Sequence, residues 1–325
     1  MKRESIIFLG LSILLVLLFL LDLCSGSSWI NIWYALQNTD SLDARILADI
    51  RLPKALTAIL AGIALSVSGL MMQTLFRNPL AGPYILGVSS GAGLGVALVT
   101  MVGTIWVGSM VSNWAISLSA IVGATLVLLL VLFIARRVRS NVSLLIVGMM
   151  FGSVAGALVN LIQNYANPDS LKLFIVWTLG SLNSVGWSEL PILLSVVFFG
   201  SILTISLMKP LNGLMLGENY ARGLGIHVNR IRVMIVLATG LLAGGITAFC
   251  GPIAFIGVAV PHIARGIYHT SNHRQIIPAV ALIGADILLI CDVVASATTY
   301  PLPISTVSAL FGAPVIIWII LHQNG

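Results

Sequence analysis

The feature that most constrains this chain is a series of apolar runs, each long enough to cross a lipid bilayer. A helix rises 1.5 Å per residue, so about 20 apolar residues span the hydrocarbon core. Such runs lie at 6–23, 54–76, 86–107, 114–135, 142–165, 190–208, 231–249, 276–295 and 306–321. Because helices satisfy their own backbone hydrogen bonds in lipid, the fold class predicted is an all-α integral membrane protein.

The composition supports this prediction. Charged residues make up 8% of the 325 residues and hydrophobic residues 58%, whereas soluble domains carry roughly 25% charged residues. So few charges cannot cover a soluble surface, and the chain is predicted to be one transmembrane domain over residues 1–325. The first apolar run exceeds the length of a signal-peptide core and has no small-residue cleavage pattern after it, which indicates a retained anchor helix.

The basic residues predict the orientation. They sort consistently only if the chain crosses a tenth time at 255–268, in a short span broken by Pro261. With ten spans and both termini cytoplasmic, twelve of the sixteen Lys and Arg residues face the cytoplasm, as the positive-inside rule requires. Those left outside are Arg45, Arg51, Lys54 and Lys172. The net charge of +6 is therefore read as an orientation signal, and no basic face points to nucleic acid.

Two segments resemble each other. GPYILGV (82–88) follows the second span and GPIAFIGV (251–258) follows the seventh. Copies that lie five spans apart must have opposite orientations, which is the inverted repeat of many transporters. Chance matching of Gly-Pro pairs is the alternative.

The stretch TLFRNPLAGPYILGVSSGAG (74–93) interrupts two spans with Arg77, Asn78 and two prolines. Proline disfavours helix at and before its own position. Irregular backbone at membrane depth persists only where protein buries it or water reaches it. Residues 77–83 are therefore expected to line a pathway or a cytoplasmic mouth, with a simple turn as the alternative.

Four blocks in order resemble the FecCD-type permeases, the membrane subunits of binding-protein-dependent ABC importers for iron chelates, haem and cobalamin. They are RLPKALTAILAGIALSVSGLMMQTLFRNPLAGPYILGVSSGAGLG (51–95), LGENYARGLGIHVNRIR (216–232), GPIAFIGVAVPHIAR (251–265) and PISTVSALFGAPVIIWIIL (303–321). The resemblance implies a ten-helix subunit of the bacterial cytoplasmic (inner) membrane that forms a homodimer around a central pathway. It also implies two ATPase subunits on the inside and a substrate-binding protein on the outside. The cargo, whether siderophore, haem or cobalamin, stays open.

A polar segment at 209–232 separates the sixth and seventh spans and predicts a short helix at 218–224, bounded by glycines. The resemblance implies that this segment couples the permease to the ATPase, whereas a solvated loop is the alternative. The residues expected to do so are Gly217, Glu218, Asn219, Tyr220, Ala221, Arg222, Gly223, Leu224 and Gly225. No G-x-x-x-x-G-K-[ST] motif is present, so the chain is expected to bind no cofactor, to be no enzyme, and to leave ATP and Mg²⁺ to the partner ATPase.

Arg51 and Lys54 share one face at the outer end of the second span. The resemblance implies that they dock carboxylates of the binding protein, and interfacial snorkelling is the alternative. The sequence departs from the family pattern at Ser296, where an Arg is expected four residues after Asp292, and at Pro301, where an acid is expected. A second set of docking charges is therefore in doubt.

The inner gate is expected where two segments meet at the cytoplasmic side. Resemblance assigns small polar and apolar residues of these segments to the constriction: Asn78, Leu80, Asn141, Val142 and Ser143.

Asp286 and Asp292 are carboxylates within a lipid-soluble span, which marks a functional site by default. A proton- or ion-coupled secondary transporter is therefore the alternative function. Hydrogen bonding within the bundle or nearness to the outer surface is the other account, and it suits Asp292 better.

Three histidines, His262, His269 and His273, are interpreted as structural or ATPase-contacting residues, with metal binding as the weaker alternative. The cysteines at 24, 250 and 291 are isolated, and packing explains them. No metal site is expected. An intramembrane enzyme would need a positioned nucleophile or a metal triad, and the sequence presents neither.

Overall fold

A computed structural model describes residues 2–26, 28–103, 112–138, 140–298 and 300–322, and within these ranges every regular element is helical. Short π-helical turns at Leu47–Arg51 and Leu98–Val102 and 3₁₀ turns at Pro83–Leu86 and Leu182–Ser184 join longer helices. The α-helices are α1 Lys2–Cys24, α2 Ile32–Gln37, α3 Leu42–Ile46, α4 Leu52–Phe76, α5 Val88–Ala97, α6 Asn113–Arg137, α7 Asn141–Tyr165, α8 Pro168–Thr178, α9 Leu190–Ser206, α10 Met208–Met215, α11 Glu218–Gly223, α12 Val228–Cys250, α13 Ile256–Tyr268, α14 His273–Ser296 and α15 Ile304–His322.

Six of the described helices are long and apolar enough to span a membrane: α1, α4 with its N-terminal extension, α6, α7, α12 and α14. A seventh candidate is the pair α9 and α10, which bends by 55° at Leu207. The third predicted span holds a shorter apolar helical stretch at Val88–Val102, and α15 occupies the last predicted span. The end of the predicted span 86–107 lies outside the described residues.

Helix α13 occupies the predicted tenth span with 13 residues. The expectation that Pro261 breaks this span is wrong, because the helix continues through Pro261. A proline inside a helix removes one backbone donor, and neighbouring elements hold this one in place: Val260 and Pro261 are buried.

Helix α4 lies at the centre of the bundle, packed against α12, α13 and α14. Its glycines allow backbone to touch backbone. A Cβ atom added to Gly62 would lie 2.3 Å from the carbonyl oxygen of Gly284, and one added to Gly69 would lie 1.7 Å from that of Gly257. The hydroxyl of Ser66 donates to the Val280 carbonyl at 3.0 Å. Small residues and interhelical hydrogen bonds are what drive helix association in lipid.

The two similar segments meet beside α4. The backbone N–H of Ile253 donates to the Tyr84 hydroxyl at 3.2 Å, and a Cβ on Gly257 would lie 2.5 Å from Pro83 Cδ. The structure thus places the breaks after α4 and after α12 against each other, and the inverted repeat itself stays a prediction.

The ends of the helices lie at two opposite ends of the bundle. At one of them, named the basic end, α4, α6 and α13 finish and α7, α12 and α14 begin. Hydrogen bonds that connect elements there include those of Asn141 with Leu75, Arg232 with Val138, His273 with Thr74 and Gln275 with Glu4. The opposite end is held by bonds from Arg51 to Leu23, from Trp187 to Ala48 and from Ser305 to Leu179.

We expect Gly69→Ala to lower the thermal stability of the purified protein, because a methyl group cannot occupy the contact with the Gly257 carbonyl without separating α4 from α13. Overpacking of this kind costs about 1–3 kcal/mol. The measurement is the unfolding temperature in detergent.

Gly156→Ala is the matched control, since a Cβ at this helical glycine meets nothing within 4 Å. It should leave the unfolding temperature unchanged or raise it slightly. Equal unfolding temperatures for both variants would contradict the assigned contact.

Candidate functional site

The segment predicted to couple the permease to a partner forms a compact helical hairpin at the basic end. Helix α10 is followed by α11, and a glycine with positive φ stands on each side of α11: Gly217 at 114° and Gly225 at 79°. The short helix predicted at 218–224 is confirmed as Glu218–Gly223. The Ile226 N–H donates to the Ala221 carbonyl at 3.0 Å, so the turn after α11 is itself fixed by hydrogen bonding.

One side of the hairpin is packed and the other is exposed. Ala221 is fully buried, and Gly213 lets Ile226 approach α10, since a Cβ there would lie 2.4 Å from Ile226 Cδ1. The exposed side carries an apolar patch of Leu216, Tyr220 and Leu224, whose exposed fractions are 64%, 55% and 59%. The remaining exposed residues of the predicted set are Asn219, Arg222, Gly223 and Gly225. Apolar side chains exposed on a polar segment indicate a partner surface.

Glu218 connects the hairpin to the bundle. One carboxylate oxygen accepts from Arg222 at 3.3 Å and the other accepts from Arg232 at 3.0 Å. Arg222 is largely exposed, whereas Arg232 is completely buried near the start of α12. Of the two ion pairs, the one with Arg232 is shielded from water and the one with Arg222 is screened by it.

The two segments predicted to form the inner gate lie side by side. The Asn141 side-chain amide donates to the Leu75 carbonyl at 2.7 Å, which ties the start of α7 to the end of α4. Asn78 caps the turn after α4 by accepting from the Leu80 N–H at 2.9 Å. Leu80, Val142 and Ser143 are exposed. The structure therefore brings both segments together, and their role in gating stays a prediction.

A buried polar network behind these segments was missed by the sequence analysis. Gln73 accepts from Arg265 at 2.7 Å. His273, which is almost fully buried, contacts Thr74 at 2.9 Å and Asn212 of α10 at 2.7 Å. No spacing rule could have found these pairs, because their members lie 61 to 199 residues apart.

The histidines occupy separate sites. His273 bridges α4, α10 and α14, while His262 contacts the Pro79 carbonyl at 2.8 Å. His269 has a left-handed conformation and ends α13. Hydrogen bonding to the protein accounts for the first two, and the described residues contain no group of three or more His, Cys, Asp or Glu side chains suited to a metal ion.

At the opposite end, the two cations predicted to dock a binding protein point inward. Arg51 is only 7% exposed and donates to the carbonyls of Leu23, Cys24 and Ser28 at 3.0, 2.7 and 2.5 Å. These bonds fasten the loop after α1 to the start of α4. Docking of a binding protein through Arg51 stays a prediction. The structure shows that Arg51 also has a role within the protein, because it bonds the end of α1 and the loop after it.

Lys54 forms an ion pair with Asp292 at 2.9 Å and a hydrogen bond with Ser296. The expectation that Asp292 is bonded within the bundle is confirmed. Ser296, the departure from the family pattern, supplies the small hydroxyl that Lys54 contacts. Asp286 is buried as well, and neither of its carboxylate oxygens has a hydrogen-bond partner among the described residues.

Helix α7 carries an exposed stripe that the sequence analysis did not single out. Ser153, Ala157, Asn160 and Asn164 are exposed at positions i, i+4, i+7 and i+11, so they share one face. Polar side chains at membrane depth face water or protein and avoid lipid. The helical spacing of these small and polar residues was the signal that could have identified the stripe.

Similarity to known proteins covers almost the whole chain. Residues 14–322 match the FecCD transport family. The vitamin B12 import system permease protein BtuC of Shigella boydii serotype 18 is 38% identical over 329 residues, covering 99% of this chain and 97% of that protein. BtuC of Salmonella paratyphi A is 38% identical over 327 residues with the same coverage.

Comparison with solved structures gives the same result as the sequence comparisons. An inward-facing metal-chelate type ABC transporter superposes with a TM-score of 0.85 at 30% identity, covering 98% of this chain and 99% of that chain. PsaBC from Streptococcus pneumoniae, solved with a Fab, has a TM-score of 0.53 at 17% identity, with coverage of 88% and 94%, and shares the fold alone. With a family match over residues 14–322, the chain belongs to the FecCD transport family.

Proposed function

We propose that this permease admits cobalamin or a similarly bulky metal chelate to the cytoplasm, driven by ATPase subunits that bind the α10–α11 hairpin. As a FecCD-family permease, the chain is the membrane subunit of an ABC importer and a transport component, not an enzyme. It is a multi-pass protein of the inner membrane. The observation that carries the coupling assignment is the exposed patch of Leu216, Tyr220 and Leu224 on a rigid hairpin.

Ten passes and two cytoplasmic termini are the proposed topology. The hydrogen bond between Glu4 and Gln275 supports it, because it places the start of α1 at the basic end beside α14. The Leu179 carbonyl, which accepts from Ser305, places the start of α15 at the opposite end. The basic end gathers the Arg and Lys residues expected inside, so the positive-inside rule assigns it to the cytoplasm.

ATP with Mg²⁺ is assigned to the partner ATPase, because the sequence has no phosphate-binding loop of the Walker type. Closure of two ATPase subunits would displace the α10–α11 hairpin of each permease. The gate segments at Asn78 and Asn141 lie at the same end of the bundle and would respond to that displacement. Such rigid-body movement is one established form of alternating access.

A second copy of the chain is proposed to complete the pathway. The stripe of Ser153, Asn160 and Asn164 on α7 needs a watery or protein environment, and a single chain leaves it exposed. Pairing two copies across this face would enclose a polar channel between them, with the remaining apolar surface of the pair facing lipid.

Cobalamin is the cargo favoured here, since the vitamin B12 import permeases align with this chain over nearly all of its length. Siderophore and haem are the other members of the chelate class. A substrate-binding protein outside the membrane would deliver the cargo, with docking at the end that holds Arg51 and Lys54.

We expect Tyr220→Ala to weaken retention of the ATPase by the purified permease about tenfold, as loss of an aromatic anchor at an interface typically does. Tyr165→Ala is the matched control, because Tyr165 is an exposed tyrosine at the other end of the bundle. The measurement is the dissociation constant of the ATPase from permease in nanodiscs. Unchanged affinity in Tyr220→Ala would contradict the coupling assignment.

Lys54→Met is expected to lower the unfolding temperature, because it leaves the Asp292 carboxylate buried without a cation; breaking a buried pair costs about 3–5 kcal/mol. The double variant Lys54→Met with Asp292→Asn should recover most of that loss. The affinity of the permease for the binding protein distinguishes the internal role of Lys54 from its docking role. If Lys54 acts only within the bundle, the double variant restores affinity, and if Lys54 also docks the binding protein, affinity stays low.

Proteoliposomes that contain the permease, its ATPase and its binding protein are expected to take up labelled cyanocobalamin only when ATP is present. Ferric siderophore and haem, offered in parallel, test the other cargoes. Uptake of one of these without uptake of cyanocobalamin would overturn the cobalamin assignment. Cyanocobalamin uptake with a hydrolysis-dead ATPase would contradict ATP-driven import.

A further inference from the structure

Arg232 is a fully buried guanidinium that binds two different structural elements. It lies in the first turns of α12, and its side chain has no exposed surface. One terminal nitrogen donates to the Val138 carbonyl at 2.8 Å, and the other donates to Glu218 at 3.0 Å. A single side chain therefore joins the end of α6, the start of α11 and the start of α12.

The chemistry of arginine makes this joint stiff. The guanidinium is planar, always charged, and presents its donors in a fixed fork, so its two acceptors are held at a set separation. Burial strengthens the electrostatic attraction to Glu218 because water cannot screen it. A displacement of Glu218 must therefore move Arg232 as well, or leave a buried charge without its partner, which is costly.

One of the two residues bonded by Arg232 lies next to the inner gate segment in the sequence. Val138 is the residue that follows α6, and α7 begins three residues later at Asn141. Asn141 in turn donates to the Leu75 carbonyl at the end of α4. Contacts thus connect α11 to Val138 through Arg232, and Asn141, three residues along the chain from Val138, is bonded to the end of α4.

The second partner of Glu218 is Arg222, which lies on the exposed side of the joint. Arg222 bonds the other carboxylate oxygen from the exposed side of α11. Because Arg222 is largely exposed and Arg232 is buried, a protein bound to the exposed face of α11 would contact Arg222 and not Arg232. The exposed face receives the partner, while the buried face holds the bundle.

We propose that Arg232 is a positioning residue that transmits movement of the ATPase-facing helix α11 to the inner gate segment at the start of α7. The proposal rests on the proposed function, namely that α11 contacts the ATPase. Arg232 itself touches neither nucleotide nor cargo. Its removal should separate ATP hydrolysis from movement of the gate.

The test uses the permease assembled with its ATPase in nanodiscs, with Val142→Cys as a reporter at the exposed start of α7. The rate of maleimide labelling is measured without nucleotide and after trapping with ATP and vanadate. Labelling of the same complex without the reporter gives the background from the native cysteines. We expect the rate to differ about fivefold between the two states, the usual lower size of an allosteric coupling.

When Arg232→Met is added to the Val142→Cys reporter, the labelling rates in the two nucleotide states should become equal. The rate of ATP hydrolysis and the amount of bound ATPase should stay near those of the Val142→Cys complex that retains Arg232. Arg274→Met, at an exposed arginine at the start of α14 and outside the segment 209–232, should keep the difference. A retained difference in Arg232→Met would overturn the proposal. So would equal rates in the reporter complex with Arg232 intact, because the gate segment would then be static.

If Arg232→Met fails to assemble, Arg232→Lys and Glu218→Gln replace it, since each keeps a hydrogen-bonding group in place. Each is expected to reduce the difference in labelling, and an undiminished difference in both would overturn the proposal. If α11 does not contact the ATPase, the Tyr220→Ala variant shows it separately, because its affinity for the ATPase would then be unchanged. A joint that merely stabilises the fold would change the unfolding temperature and leave the state-dependent labelling intact.

Discussion

The close contact of backbone with backbone around α4 is the interaction on which the rest of the structure depends. In lipid, apolar side chains gain little by leaving the solvent, so helices associate through packing and interhelical hydrogen bonds. Gly62 and Gly69 supply that packing, since both contact carbonyls of neighbouring helices. The irregular segments after α4 and α12 lie beside this packed centre, where Pro83 is in close contact with Gly257.

The polar residues of this protein act at the ends of that packed centre. At the basic end, His273, Gln73 and Arg232 bond across helices and hold the breaks, the hairpin and the gate segments in one arrangement. At the opposite end, Arg51 and Lys54 do the same for α1 and α14. This distribution of bonds ties neighbouring helices together at both ends of the bundle.

The sequence predicted the helices well because hydropathy, proline and glycine act locally. The short helix α11 was identified by its bounding glycines, and the break after α4 by Asn-Pro and Gly-Pro. Prediction was wrong at Pro261, where neighbouring elements hold the helix through a residue that alone would end it. It also missed the stripe on α7 at Ser153, Asn160 and Asn164, although helical spacing carries that signal.

By itself, the sequence determined the membrane class, the family resemblance and the position of the short helix α11. The orientation implied by the basic residues and the coupling role of the hairpin stay predictions. Only the tertiary structure decided which charges are internal. Arg51, Lys54 and Arg232 look equally available in the sequence, yet all three bond buried or partly buried partners from other segments. The reason is physical: solvation and pairing depend on distances between residues remote in the chain, and no local pattern encodes them.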